Sequence, residues 1–411
     1  MSERIVVTGL GCVSALGLTA EENWISARDG AGGIAMRDFD AGQYSSGVHT
    51  NPAALVKGDA VGALEQAFGR RVAGSLDPFS VYALKAAHEA LGQAGLLGEK
   101  LGERAACVMG NGIGGLSTLE KGYERLFGMR AEKVHPLTIP RVMVSAPVSA
   151  VAMEWGITGP VFATSSACAS AAHAIAQGAA LIAGGLADVA VVGGSEAMAS
   201  PGGMRSWEGL QAMTASTCRP FSAGRDGMAI GEGGAALVLE TESRARARGA
   251  NPIAYYAGAG MTSDAFHWTQ PSLVGAMAAM RQAANAGRLF DEAEVLISAH
   301  GTGTDLNDKN EAAAIRELFG EAAGRNPVIA TKSAHGHVIG ASPAVQSVIA
   351  LKGLAAGLAP PILGFLGPDP DCAGIDLVVG EARPIAARSL IVNAFAFGGL
   401  NACLAFRLDP L

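Results

Sequence analysis

VFATSSAC, residues 161–168, returns 167 residues later as VIATKSAH, residues 328–335. Five of the eight residue types match. Each copy reads as a strand, a turn of small residues and the start of a helix. Downstream of each lies a second comparable run, Val189–Gly194 after the first and Leu390–Gly399 after the second. A repeat at a fixed offset is the signature of a duplicated structural unit. The charged stretch ESRARARGAN, Glu242–Asn251, suits the junction. We therefore expect two halves, residues 1–250 and 251–411.

Other segments extend the pattern. Ile5–Gly9 and Val295–Gly301 are short β-branched runs ending at glycine, as expected of strands buried on both faces. Val81–Gly92 and Leu273–Gly287 carry apolar residues at helical spacing. Strands alternating with helices predict an α/β layered fold. A duplicated fold sets equivalent turns face to face about a pseudo-twofold axis. That brings the turn at Cys168 toward those at His300 and at His335–His337.

The 411 residues are 49% hydrophobic and 16% charged, enough for a large buried core. A net charge of −7 argues against nucleic acid as a partner. The six cysteines form no CxxC pair and read as reduced thiols of a cytoplasmic protein. The first residues run directly into a strand, so no signal peptide is expected. Ala171–Val192 is apolar but carries His173, Gln177 and Asp188, and reads as a buried helix and strand rather than a membrane span.

Four segments carry chemistry. Cys168 follows a strand at the start of an Ala-rich helix. Free N–H groups there favour a thiolate, lower the thiol pKa and hold an oxyanion. The same context also suits an inert core cysteine. His300 ends an apolar strand before Gly-Thr-Gly-Thr; it reads equally as an accessible imidazole or as one bonded to a carbonyl. Lys332, His335 and His337 share one turn. A metal site is the rival reading, but no nearby carboxylate or cysteine completes a ligand set. Asp308 and Glu311, on the helix after His300, are placed to offset the charge of Lys332, or simply to open a solvated helix. Near the end, Asn393-Ala-Phe-Ala-Phe-Gly-Gly-Leu-Asn401 sets two aromatics before a Gly-Gly turn.

Across nearly its whole length the chain resembles the β-ketoacyl-[acyl-carrier-protein] synthase II family. The segments that carry the resemblance are VVTGLGCVSALG from Val6, GNGIGGL from Gly110, SSACASAAHAI from Ser165, RPFSAGRDGMAIGEGGAALVLE from Arg219, SDAFH from Ser263, AHGTGTDLNDKNEAAAI from Ala299, TKSAHGHVIGA from Thr331 and NAFAFGGLNACLAF from Asn393. The resemblance implies the thiolase fold, with duplicated α/β halves in a five-layered αβαβα sandwich and a homodimer.

The implied reaction is a decarboxylative condensation that lengthens an acyl chain by two carbons. Cys168 matches the nucleophile that takes the acyl group from acyl carrier protein. Its N–H and that of Phe397 match the oxyanion hole. His300 and His337 match the pair that polarises the malonyl thioester. Lys332 and Glu311 match the accompanying lysine and acid. Phe397 also matches a gate between acyl and malonyl binding. Thr302 and Thr304 match residues along the phosphopantetheine arm. Ile113 matches the far end of the acyl pocket, with Trp207 along it. No bound cofactor is implied, because both substrates ride on the carrier's phosphopantetheine.

Departures are specific. Leu400 stands in place of Thr, Ala396 of Gly, His335 of Thr, and Ser342-Pro343 of Ala-Gly. His335, Asn393-Ala-Phe-Ala, Ser206-Trp-Glu and Thr217-Cys-Arg-Pro-Phe-Ser-Ala resemble a nodulation-type branch. Two rival readings stay open. One is a non-catalytic partner like a chain-length factor, in a heterodimer with another ketosynthase. The other is a thiolase using Cys403. Carrier docking requires local positive charge, for which Arg70, Arg71, Lys121, Arg125, Arg130 and Lys133 are the candidates.

Overall fold

Strand β1, Ile5–Ser14, is buried along its whole length, and its glycines show why a helix can lie directly on it. A Cβ on Gly9 would stand 2.0 Å from the carbonyl oxygen of Ala90, and one on Gly11 1.9 Å from that of Ala86. Both carbonyls belong to helix α1, Pro78–Gln93. Backbone cannot yield as a flexible side chain does. Gly9→Ala is therefore expected to destabilise the chain by about 3 kcal/mol, read as a lower denaturation midpoint.

The computed structural model describes residues 3–40 and 49–411. Ten further strands follow β1 in the main sheet: β2 Ala105–Gly110, β3 Val161–Thr164, β4 Val189–Glu196, β5 Gly233–Thr241, β6 Ala254–Ser263, β7 Leu296–Ser298, β8 Pro327–Ile329, β9 Asp376–Leu377, β10 Ser389–Ala396 and β11 Leu400–Arg407. Their spatial order is β9-β8-β7-β10-β11-β6-β1-β5-β4-β2-β3. The seam is the β1–β6 pair, held by only three registered partners from Ile5↔Tyr256 to Val7↔Ala254.

Outward from the seam the two halves are alike. One runs β1-β5-β4-β2-β3; the other runs β6-β11-β10-β7-β8 and adds the two-residue β9. Each half places its first and last strands antiparallel, and its outer three parallel. In both, the strand of the repeated octapeptide is third in chain order and lies outside the second.

Helices complete five layers. Helix α1 and helix α2, Ala146–Trp155, cover the first half from outside. Helix α3, Ser170–Ala183, and a long buried helix at Ser342–Ala356 lie between the halves and touch strands of both. Helix α4, Leu273–Ala286, and helix α5, Asp305–Phe319, close the other side. The central layer is the largest core and contains Cys168. The expected helices and strands are found, with the Ala171–Val192 stretch divided between α3 and β4.

The second octapeptide departs from the expected strand–turn–helix. The chain makes only one helical turn, α6, Lys332–His335. Helix α7, Ser342–Ala356, begins afterwards. Between them Gly336 has φ +70° and Ile339 φ +39°. This extra loop is what carries His337 to the pocket. Among the described residues, one run, Ile339–Ala356, is long and apolar enough to cross a membrane, and 83% of it is buried inside the protein.

Candidate active site

The parallel strands of each half end on the same cavity, as ligand sites of α/β sheets do. Cys168 follows β3, His300 follows β7, Lys332 and His337 follow β8, and Phe397 follows β10. The cavity holds about 400 Å³ and is lined by all of these except Lys332, together with Thr302, Thr304, Phe395 and Met228.

Cys168 stands on a strained turn, for Ala167 has φ +47° without being glycine. Ser170 pins that turn: its Oγ accepts from the Ser166 N–H at 2.8 Å and donates to the Ala167 carbonyl at 2.7 Å. The close approach needs Gly110, where a Cβ would fall 2.3 Å from the Ser170 carbonyl carbon.

The electrostatics differ from the sequence expectation. Burial pushes the Cys168 thiol up to about 11. The Lys332 charge and the N–H groups of Phe397 and Cys168 favour the thiolate, while Glu196 opposes it. Helix α3 begins two residues later, and desolvation outweighs its N-terminal field.

His337 Nε2 lies 3.1 Å from Cys168 Sγ, and its Nδ1 lies 2.9 Å from Ser342 Oγ. The His300 ring meets His337 edge-on, with centroids 5.6 Å apart. Burial, reinforced by Lys332, holds both imidazoles well below the usual histidine range, so both are neutral.

Lys332 is completely buried beneath them. Its Nζ donates to the His300 carbonyl at 2.5 Å and to Gln346 Oε1 at 2.7 Å, and lies 3.4 Å from His300 Nδ1. An ammonium there leaves His300 Nδ1 as acceptor and turns an Nε2–H toward the cavity. Burial pushes Lys332 down to about 8.

Glu311 accepts from the N–H groups of His300 at 2.7 Å and Gly301 at 2.8 Å, and from Asn393 at 3.0 Å. Asp308 accepts from the N–H groups of Phe221 and Thr302. Neither bonds Lys332 directly; they act on it through space while shaping the turn that carries His300.

Other expected residues fall elsewhere. His335 is buried, bonds Thr331 Oγ1 at 2.9 Å and does not line the cavity. Trp207 is buried in the core that contains Cys168, and Ile113 is 49% exposed; neither lines the cavity. Cys403 is buried in the outer core of the second half. Arg70, Lys121, Arg125, Arg130 and Lys133 are exposed but away from the lining, and the Arg71 side chain lies outside the described residues.

The donor atoms of Cys168, His300 and His337 lie within 4.8 Å of one another, close enough for a soft divalent ion to bridge. The Lys332 ammonium against His300 opposes a cation there. Sequence reading missed Gln346, whose amide donates to the Ala299 carbonyl at 2.7 Å while holding Lys332. A glutamine inside the apolar run SPAVQSVIALKGL was the available signal. It also missed Glu196.

Comparison with known proteins finds relatives along nearly the whole chain. Residues 2–245 match the Beta-ketoacyl synthase, N-terminal domain, and residues 253–366 the Beta-ketoacyl synthase, C-terminal domain. The chain is 38% identical over 409 residues to Nodulation protein E of Rhizobium meliloti (strain 1021), covering 99% of this chain and 100% of that one. It is 32% identical over 415 residues to 3-oxoacyl-[acyl-carrier-protein] synthase 2 of Staphylococcus aureus (strain COL), covering 99% and 98%. Among solved structures, the ishigamide ketosynthase/chain length factor superposes with a TM-score of 0.90 at 29% identity, covering both chains completely.

Proposed function

The chain belongs to the β-ketoacyl synthase family, and on that premise we propose how its residues divide the reaction. It is a condensing acyltransferase of the thiolase fold that extends an acyl chain by two carbons. The observation that carries the assignment of roles is the 3.1 Å contact of Cys168 Sγ with His337 Nε2 inside a cavity shared with His300.

In the first half-reaction the Cys168 sulfur attacks the acyl thioester on the phosphopantetheine of an acyl carrier protein. The N–H groups of Cys168 and Phe397 stabilise the oxyanion. The carrier thiol leaves with the proton given up by Cys168. In the second, malonyl thioester enters past Thr302 and Thr304. The Nε2–H groups of His300 and His337 donate to its carbonyl, CO2 departs, and the enolate carbon attacks the acyl-Cys168 carbonyl. The C–S bond breaks, and the released Cys168 thiolate takes up one proton from water to restore the thiol. Neutral imidazoles suit this role, because each keeps one N–H to donate while its other ring nitrogen accepts.

Phe397 on its Gly-Gly turn acts as the gate; Ile113 and Trp207 lie off the present cavity, so the distal acyl chain meets them only where the cavity opens further toward them. We assign no bound cofactor and place the protein in the cytoplasm. Identity to the nodulation protein supports a specialised acyl product. The halves 1–250 and 251–411 are taken as the two structural units. A homodimer is supported by the open edge of β3, where Phe162, Met153, Met143, Ile139 and Ile113 are exposed on neighbouring elements.

Incubation with acyl-carrier protein should add the acyl mass to Cys168, read by intact mass and peptide mapping. No gain on wild-type protein would refute the assignment. The condensation step should also show an alkaline limb. Lys332 keeps its proton below about 8 and loses it as pH rises through that value. The histidines, held well below 6.5, add no acid limb near neutrality. Single-turnover rates from preloaded acyl-enzyme should be flat below about pH 7, half-maximal near pH 8 and fall about tenfold per unit well above it. The limb should vanish in Lys332→Met.

A further inference from the structure

Strand β4 reads VAVVGGSE and ends in a charge that the mechanism does not use. Glu196 is completely buried, and its carboxylate is held by backbone rather than by a cation. One oxygen accepts from the N–H groups of Gly112 at 2.5 Å and Gly340 at 3.1 Å; the other accepts from Ile113 at 3.4 Å. Gly340 lies three residues after His337. The Gly112 carbonyl accepts from Ser165 Oγ at 3.2 Å, three residues before Cys168. The two turns are pressed together, for a Cβ on Gly340 would stand 2.5 Å from the Gly112 nitrogen. Glu196 ends β4, as Ala396 beside the gate ends β10, the strand in the matching place of the other half. A buried carboxylate without a cation is costly and points to function when it sits beside reacting atoms.

We propose that Glu196 is a positioning residue for the condensation, clamping the Gly112 turn to the Gly340 turn so that Cys168 and His337 stay at transfer distance. This rests on the assignment of Cys168 and His337 above. The carboxylate also acts on the thiolate directly. The charged groups around Cys168 are Lys332, which favours its ionisation, and Glu196, which opposes it; His300 and His337 are neutral. Around Glu196 itself stand the backbone N–H groups of Gly112, Ile113, Gly114 and Gly340.

The test is Glu196→Gln with two readouts. The condensation kcat should fall about 100-fold with KM little changed, as expected for a displacement of about 1 Å at reacting atoms. Alkylation of Cys168 by iodoacetamide should move to lower pH, a shift that loosened packing alone would not produce. Glu196→Asp keeps the charge but is one carbon too short to span both turns. It should keep the wild-type alkylation profile while losing turnover. A kcat within about threefold of wild type in Glu196→Gln, or an unmoved alkylation profile, overturns the proposal. Should Glu196→Gln fail to fold, full turnover in Glu196→Asp overturns it. If the wild-type protein accepts no acyl group, the assigned reaction fails, while the alkylation profiles still judge Glu196.

Discussion

Replacing Cys168 by alanine is expected to abolish acyl transfer, leaving no mass gain with acyl-carrier protein and condensation at least about 10⁴-fold below wild type. The size follows from the chemistry. Without the sulfur there is no covalent acyl intermediate, and the malonyl enolate has no electrophile held beside it. The fold should survive. Cys168 borders an existing cavity, so removing one sulfur adds little strain, and stability should change by about 1 kcal/mol. Thermal unfolding checks that arm. An undiminished mass gain in Cys168→Ala would move the nucleophile to another of the six thiols. The other five are buried and, apart from Cys168, none lines the cavity.

His300→Ala is expected to separate the two half-reactions. His337 contacts Cys168 Sγ, whereas His300 lines the same cavity and is held from behind by Lys332. Removing His300 should therefore leave acyl transfer nearly intact and slow the condensation about 10³-fold, the cost of losing one donor to a developing oxyanion. Intact mass measures the first step, and release of labelled CO2 from malonyl-carrier protein the second. Equal loss of both steps would show that His300 mainly supports the architecture around Cys168. His337→Ala should slow both, since its ring faces the sulfur and the malonyl carbonyl alike.

Much of this was readable beforehand, and the physical reason is that the repeat fixes topology. Matching octapeptides before Cys168 and His335 imply matching strands, and matching strands imply facing turns. What could not be read is what depends on burial depth. A cysteine near a helix start suggests a low thiol pKa, but the desolvation that pushes Cys168 up to about 11 is set by residues far away in sequence. His335 and His337 look equivalent as letters. The positive φ of Gly336 sends one against Thr331 and the other against Cys168. Gln346 and Glu196 were missed because each is a single polar residue in an apolar element, and its purpose shows only once its partners converge. The acids Asp308 and Glu311 were found, but their hydrogen bonds to backbone, rather than a direct bond to Lys332, needed the structure.

The two halves of the sheet, paired at their seam through three residues each, have a consequence for inheritance. The sulfur comes from one half, and both imidazoles and the ammonium from the other. A gene cut at the seam would encode two proteins, neither holding even a weakened version of the reaction. Loss by truncation is all or nothing, and any split form of this enzyme must regain activity by reassembly of both fragments.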